Sequence, residues 1–178
     1  MITHDYLRAM ARYNRWQNSA IFASAGSLTE AQRREDRGAF WGSIHGTLSH
    51  VYWADRIWMS RLGVADAPGG GMKDSPALVE KWDDLRRERE VLDDHIVDWA
   101  DGFATGLVSG RLAWFSGVLQ REVEMPLGVI VAHIFNHQTH HRGQAHALIT
   151  GHGGTTSETD LFLMPADLWP PDWDAAQP

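Results

Sequence analysis

The sequence predicts an all-α fold, a four-helix bundle with a small β-hairpin between the third and fourth helices. The main observation is that apolar residues recur every three or four positions in four long segments, which is the period of an amphipathic helix. With 178 residues, 43% of them hydrophobic and 22% charged, the chain fits one folded domain at roughly 150 residues per domain. We assign that domain to residues 1–170 and expect residues 171–178, which are rich in proline, to form a flexible tail.

The first two helices are predicted from their periodicity and from residues that begin or end helices. Residues 4–25 form the first helix, with Thr3 as its N-cap. Residues 28–39 are polar and predict a short turn of helix followed by a loop. The second long helix covers residues 41–62 and ends at Gly63, because glycine readily adopts the backbone conformation that follows a helix.

The last two helices are separated by a stretch that does not have the helical period. Ser75 is the predicted N-cap of a third helix over residues 76–101. Residues 102–124 are short apolar and polar runs punctuated by glycines, which favours a small β-hairpin packed on the helices. A fourth helix covers residues 126–150 and stops at Gly151. Four long helices with a minor hairpin are typical of a helical bundle.

The charge balance and the residue types exclude several classes of function. Sixteen Lys and Arg against 23 Asp and Glu give a net charge of −7, so the chain lacks the basic excess that binding to DNA or RNA requires. The chain has no cysteine, so a metal site can use only His, Asp or Glu. Residues 125–135, the longest apolar run, are too short for a bilayer, which takes about 20 residues. With no secretory signal either, we expect a cytoplasmic protein without a nucleic-acid or membrane partner.

The strongest candidate for chemistry is a cluster of histidines on the fourth predicted helix. Four of the ten histidines lie within residues 133–141. At about 100° per residue, His141 falls on the apolar stripe of that helix, and His137 lies one turn earlier and close to it. Two histidines at this spacing form a common metal chelate.

A third histidine is placed to join this pair from another helix. His50 lies beside the apolar stripe of the second predicted helix, so its ring can also point into the bundle. Three histidines from two helices leave a fourth metal position open, which distinguishes catalytic zinc-type sites from closed structural ones. The alternative is that His50 donates to a backbone carbonyl and that the other histidines form a polar network without metal.

Several motifs together resemble the DinB family of bacterial proteins. The most specific of them is NHQTHHRGQ. A short HxxxH pair can match by chance, but a run of this length does not. The resemblance covers most of the chain through ARYNRWQN at 11–18, LSHVYWADRIWMSRL at 48–62, HIFNHQTHHRGQAHALIT at 133–150 and TDLFLMP at 159–165.

The resemblance implies a bundle of up, down, down, up type, a divalent metal held by three histidines, and often a homodimer. Matched residue by residue, the ligands fall on His50, His137 and His141, and all three are present. Zinc or nickel is the expected metal, with iron as a further candidate, because imidazole suits all three ions. The nine tryptophans are consistent with an apolar, two-fold dimer interface on the helix faces.

The reaction is less defined than the site. Similar bundles include thiol transferases and isomerases that combine a low-molecular-weight thiol with the metal. One hypothesis is therefore an enzyme, a thiol transferase or a hydrolase, in which the metal activates a thiolate or a water molecule at its open position. The other is a non-catalytic, stress-related metal-binding bundle whose metal is structural or sensing. A fourth ligand such as His133 or His140 would favour the second hypothesis.

Three other residues are candidates for supporting roles. Asn136 and Gln144 could orient a ligand imidazole through its second nitrogen. Arg142 follows a predicted ligand and could bind an anionic substrate, or could pair with a carboxylate on a neighbouring helix. The motifs HExxH, GxSxG and Walker A are absent, and the sequence identifies no catalytic side chain.

Overall fold

The computed structural model describes residues 2–104 and 108–173, and it is all-α apart from one hairpin, as predicted. Three single turns of 3-10 helix complete the described structure, at Ser75–Ala77, Leu161–Leu163 and Ala166–Leu168. The helices and strands, in chain order, are α1 (His4–Gly26), α2 (Glu30–Arg34), α3 (Ile44–Arg61), α4 (Trp82–Asp101), β1 (Arg111–Ser116), β2 (Arg121–Pro126) and α5 (Leu127–Gly151).

Side-chain caps fix the beginnings of α1 and α3. Thr3 accepts a hydrogen bond from the backbone N–H of Tyr6, as predicted for its cap. The predicted start of the second long helix at residue 41 is wrong, since α3 begins only at Ile44. Gly42 has a φ of 74°, which a right-handed helix cannot accommodate, and Ser43 then caps α3. Residues 41 and 42 are thereby left in a tight turn at the end of the bundle.

The predicted start of the third long helix is also wrong. The helix was expected over residues 76–101 with Ser75 as its N-cap, but α4 begins at Trp82. Residues 75–77 form a separate turn of 3-10 helix, and the backbone at Lys81 is extended. The hydroxyl of Ser75 donates to the carbonyl of Met72, 2.7 Å away, and is not used to cap a helix.

The four long helices form a bundle in which chain neighbours are not always packed together. α1 packs on α4 and α5, and α3 packs on α5 and α4. α1 and α4 are antiparallel, since Asn18 contacts Asp93 while Arg12 contacts Asp101 further along α4. α3 is likewise antiparallel to α5, whereas α1 is parallel to α5 and α3 is parallel to α4. These directions give the up, down, down, up arrangement.

The hairpin lies beside α3 and α5. β1 and β2 are antiparallel, with Arg111 opposite Pro126, and Trp114 of β1 packs edge-on against Trp58 of α3 at 5.2 Å between ring centroids. A short hairpin is stable only when it leans on other elements, and here the indole contact supplies that support. The hairpin therefore covers the surface next to one end of the α3 and α5 interface.

Apolar side chains from all four long helices fill the bundle interior, and their burial supplies most of the driving force for folding. In the predicted tail, Asp172 forms an ion pair with Arg8 of α1, while residues 174–178 lie outside the described residues. Among the residues that the structure describes, no helix is long and apolar enough to cross a membrane.

Candidate metal centre

The structure brings His50, His137 and His141 together between α3 and α5. His137 and His141 are one turn apart on α5, and the antiparallel α3 places His50 opposite them. One ring nitrogen of each residue lies within 4.8 Å of the other two, and the Nε2 atoms of His50 and His137 are 3.3 Å apart. We call these three residues the histidine cluster. Such a group could hold a metal ion.

The second ring nitrogen of His50 is held by a hydroxyl. His50 Nδ1 lies 2.8 Å from the Oγ of Ser75, and that hydroxyl already donates its only hydrogen to Met72. His50 Nδ1 must therefore be the donor to Ser75. A neutral imidazole carries one hydrogen, so Nε2 of His50 keeps a free lone pair that points toward His137.

Gln144 has the same effect on the second histidine. Its Oε1 lies 2.7 Å from His141 Nδ1, and a carbonyl oxygen can only accept, so His141 is protonated at Nδ1 and free at Nε2. The amide nitrogen of Gln144 in turn lies 3.3 Å from a ring nitrogen of the exposed His140. We predicted this orienting role for Gln144 from the sequence. In metal sites, a hydrogen bond of this kind to the second ring nitrogen fixes the orientation of the ligand imidazole.

The spacing of His50 and His137 fits two ligands of one tetrahedral ion, and all three ligand nitrogens lie within 4.8 Å of one another. Two nitrogens bound at about 2.0–2.1 Å to a tetrahedral zinc lie roughly 3.3–3.4 Å apart, which matches the distance between the Nε2 atoms of His50 and His137. Neither His133 nor His140 belongs to the group within the described residues. His133 instead packs edge-on against Trp58 at 5.2 Å. The structure therefore brings together three nitrogen ligands from the chain and not four.

The electrostatic environment keeps these imidazoles neutral. Burial, together with the proximity of His141, lowers the pKa of His50 to about 3. Burial and the neighbouring histidines lower the pKa of His137 to about 3 as well, and burial also lowers the pKa of His141. Neutral imidazole is the form that binds metal, so the cluster is ready for an ion at ordinary pH.

An indole covers one face of the cluster. Trp41 stacks on the ring of His50 with centroids 3.9 Å apart and planes inclined by 25°. Gly46 makes this approach possible, because a Cβ at that position would lie 2.5 Å from the backbone oxygen of Trp41. The turn that displaces the start of α3 therefore also positions Trp41 to shield His50.

Sequence reasoning missed Ser75 and Trp41 as parts of this site. Ser75 was interpreted only as a helix cap, and Trp41 only as the first residue of a helix. For Trp41 the sequence contained a signal: Gly42 directly follows it and indicates that the helix does not yet begin there. Ser75 had no such signal, because its contact with His50 joins positions that are 25 residues apart in the chain.

Two other predicted site residues lie elsewhere. Asn136 is exposed and has no side-chain hydrogen bond to a described residue, so it does not orient a ligand here. Arg142 is buried on the side of α5 that faces α1, where it donates to Asn14, Asn18 and Gln138. Its expected carboxylate partner is wrong, since these three acceptors are amide oxygens.

Arg142 belongs to a second buried group, which we call the central polar network. Arg89 lies at its centre and donates to Asp55 at 2.5 Å and to Asp93 at 2.7 Å. Burial raises the pKa of Asp55 to about 6 in spite of the nearby arginine. The network links all four long helices and consists of Asn14, Asn18, Asp55, Arg89, Asp93, Gln138 and Arg142.

Comparisons with known proteins are consistent with this fold. The sequence model of the DinB family matches residues 1–171. Protein DinB of Bacillus subtilis is 24% identical over 169 residues, which cover 89% of this chain and 93% of the relative. The crystal structure of a DinB-like protein from Bacillus cereus superposes with a TM-score of 0.60 at 17% identity, covering 80% of this chain and 90% of the other. The structural likeness shows the fold.

Proposed function

The chain belongs to the DinB family, and from the histidine cluster we propose that it binds one divalent ion and acts as a metal-dependent enzyme of the thiol-transferase type. His50, His137 and His141 are the proposed ligands. Zinc or nickel is the proposed metal, with iron as a further candidate, since imidazole binds all three. The proposed co-substrate is a low-molecular-weight thiol, with water as the alternative nucleophile.

One observation carries this proposal. The described residues supply three converging imidazoles and no fourth ligand, which is the arrangement of catalytic sites that keep a position for water or substrate. The lone pairs of His50 and His141 are directed into the site because Ser75 and Gln144 each hold the opposite ring nitrogen. A site that is oriented in this way loses little freedom when an ion binds.

The chain's own residues have defined roles in such a reaction. A divalent ion bound there would supply a Lewis acid that lowers the pKa of a thiol or water molecule at the open position. Ser75 and Gln144 hold the Nδ1 protons of His50 and His141, so the ligand atoms do not rotate away. Trp41 covers one face of His50 and keeps water from that side.

A second candidate function is a non-catalytic bundle whose metal is structural or sensing. The observation that favours it is the position of the cavities. Three cavities of about 540, 370 and 490 Å³ are lined by residues other than the three histidines. An enzyme of this type needs space for its electrophile beside the metal, so the two candidates differ in whether a thiol and a second substrate can reach the cluster.

The two functions are separated by one set of measurements. The purified protein is first analysed for metal and loaded with zinc or nickel. A panel of low-molecular-weight thiols is then screened against electrophiles, with His141→Ala as the control that lacks a ligand. Turnover that needs both metal and thiol, and that is absent from the control, supports the enzyme. Stoichiometric metal without turnover for any thiol and electrophile supports the non-catalytic bundle.

We also propose that the protein is a homodimer. The sequence predicts an interface on the helix faces, and the structure adds a candidate on the hairpin. Phe115 of β1 and Val118 and Leu119 in the turn after it are 56%, 74% and 55% exposed, and exposed apolar side chains favour contact with a second copy. A two-fold contact would bury the same patch on both chains. Sedimentation at micromolar concentration should give twice the chain mass, and a single species of 20.0 kDa would contradict the proposal.

A further inference from the structure

A cavity of about 370 Å³ lies on the side of α5 away from the histidine cluster. α1, α5 and the segment that follows α5 form its walls. None of the described residues that line it is Asp or Glu, whereas it is lined by an arginine, a histidine and several hydroxyl groups. The side chains that matter for the inference are Ser24, Arg142, His146, Thr156 and Ser157.

Arg142 is the only charged residue among those that the structure places along this cavity, and it is 6% exposed. Its Nη1 donates to Asn18 and Gln138, and its Nη2 donates to Asn14 at 2.7 Å. A guanidinium has five N–H groups, so the Nε–H and one N–H of Nη2 have no acceptor among the described residues. Two free N–H groups of one guanidinium can donate to the oxygens of a carboxylate or a phosphate.

Gly143 gives an independent reason to regard the cavity as a site. It lies in the interior of α5, where glycine is less favourable than alanine. No packing contact requires it, because a Cβ built at this position meets no atom within 4 Å. Gly143 lines the cavity beside Arg142, so a side chain at this position would have space to extend along its wall.

The outer wall of the cavity is held in place by α1. The hydroxyl of Tyr13 donates to the backbone oxygen of Thr159 at 2.5 Å, and the amide of Gln17 donates to that of Glu158 at 3.0 Å. On the other side, Thr156 lies 3.0 Å from the Nε2 of His146 on α5. A wall that is tied to two helices provides a preformed space.

We propose that this cavity binds a small molecule through an oxyanion group, with Arg142 as the main donor. A carboxylate and a phosphate share the required chemistry, since both offer at least two anionic oxygens to a guanidinium. Hydroxyl groups such as those of Ser24 and Ser157 complete the polar lining. The site is separate from the proposed metal centre, so it does not depend on the proposed function.

The test uses NMR on the full chain, with and without a chelator. Acetate and inorganic phosphate are titrated separately at constant ionic strength, with chloride as the reference salt, and the Nε–H resonance of Arg142 is followed. We expect one of the two anions to give a saturable shift that chloride does not give. The anion that binds identifies the source of the oxyanion.

Variants at Gly143 make the result specific. Gly143→Leu adds a bulky side chain at the cavity wall and should weaken binding by about tenfold or more, and Gly143→Ala should weaken it less. Gly151→Leu is the matched control, since it lies on the same helix in open space and lines no described part of this cavity. Circular dichroism checks that each variant keeps its helix content.

Three results would overturn the proposal. The first is the absence of a saturable shift with either anion. The second is equal binding by wild type and by folded Gly143→Leu. The third is binding that disappears when the chelator is added, because the anion would then be bound at the histidine cluster.

Discussion

The histidine cluster and the central polar network are both buried polar groups with members on α5, but they differ in what they lack. The network has hydrogen-bond donors without acceptors, and the cluster has acceptors without donors. In the network, both carboxylates meet donors. The groups without a partner among the described residues are N–H donors, on Asn14, Arg89 and Gln138 and on the edge of Arg142 that faces the 370 Å³ cavity. In the cluster, Ser75 and Gln144 leave His50 and His141 each with a lone pair on Nε2. His137 Nε2, 3.3 Å from His50 Nε2, carries at most one hydrogen and so cannot fully satisfy both. Burial alone therefore does not mark a metal site here. A surplus of converging acceptors does, because only a cation or a donor can satisfy it.

The largest expected effect is on stability, and it belongs to the network. Arg89→Met leaves Asp55 and Asp93 buried without their cation, and we expect it to lower the free energy of unfolding by about 3–5 kcal/mol. Urea denaturation followed by circular dichroism measures this change. If the variant remains folded, it should still bind metal, since the histidine cluster shares no side chain with the network.

Arg87→Met is the matched control on the same helix. Arg87 forms only an exposed ion pair with Asp84, so its loss should change stability by roughly 0.5 kcal/mol or less. Equal destabilisation by the two variants would show that the buried network has no special part in holding the helices together.

The next largest effect concerns the group that holds His50. Ser75→Ala removes the acceptor for the His50 Nδ1 proton, and we expect metal affinity to fall about 10–100-fold. Competition with a chromophoric chelator measures the affinity. Nitrogen-15 NMR of the histidine rings should show His50 protonated at Nδ1 in the wild type and a mixture of tautomers in the variant.

Ser60→Ala is the control for loss of a hydroxyl. Ser60 lies on α3 like His50, and its hydroxyl donates to the backbone oxygen of Ile57 away from the cluster. The metal affinity of Ser60→Ala should equal that of the wild type. If Ser75→Ala also binds metal as the wild type does, the hydroxyl has no orienting role.

The sequence predicted the fold well because helix formation and burial leave a periodic signal in the chain. All four long helices and the hairpin are present, and the errors lie at the starts of α3 and α4. Both errors have a local cause. Gly42 adopts a positive φ before α3, and Pro76 lies in a separate 3-10 turn that ends before α4 begins. Periodicity does not report backbone conformations of this kind.

The histidines themselves were found from the chain, but not the groups that orient or cover them. His137 and His141 are one turn apart on a helix, and His50 was found because of its place beside an apolar stripe. Ser75 and Trp41 reach the cluster through contacts between distant segments, which leave no spacing to detect. Arg142 was misplaced for the same reason, because two of its three partners, Asn14 and Asn18, lie on the distant α1.

The smallest effect predicted here is a displacement of the pH at which metal is released. Histidines with an ordinary pKa of about 6.5 lose metal when they take up protons near pH 6. Burial lowers the pKa of all three ligands, to about 3 for His50 and His137, so we expect most of the bound metal to remain at about pH 5.5. Dialysis against buffers of decreasing pH, followed by metal analysis, measures the release.

The same pKa shifts act on the metal-free protein with a defined sign. As the pH falls from about 6.5 toward 3, the unfolded chain binds protons that His50 and His137 resist in the folded state, so their contribution to stability is lost. Trp41→Ala exposes His50 and should move metal release toward pH 6. Half-release at or above pH 6 in the wild type would contradict the assigned role of burial.

The central claim is that His50, His137 and His141 bind one metal ion and that the neighbouring histidines do not. Metal analysis of His137→Ala and His140→Ala, purified in parallel with the wild type, tests it most directly. His140 is exposed and lies outside the cluster, so His140→Ala should keep one ion per chain, whereas His137→Ala should keep almost none. The claim is contradicted if both variants retain stoichiometric metal, or if His140→Ala loses it and His137→Ala does not.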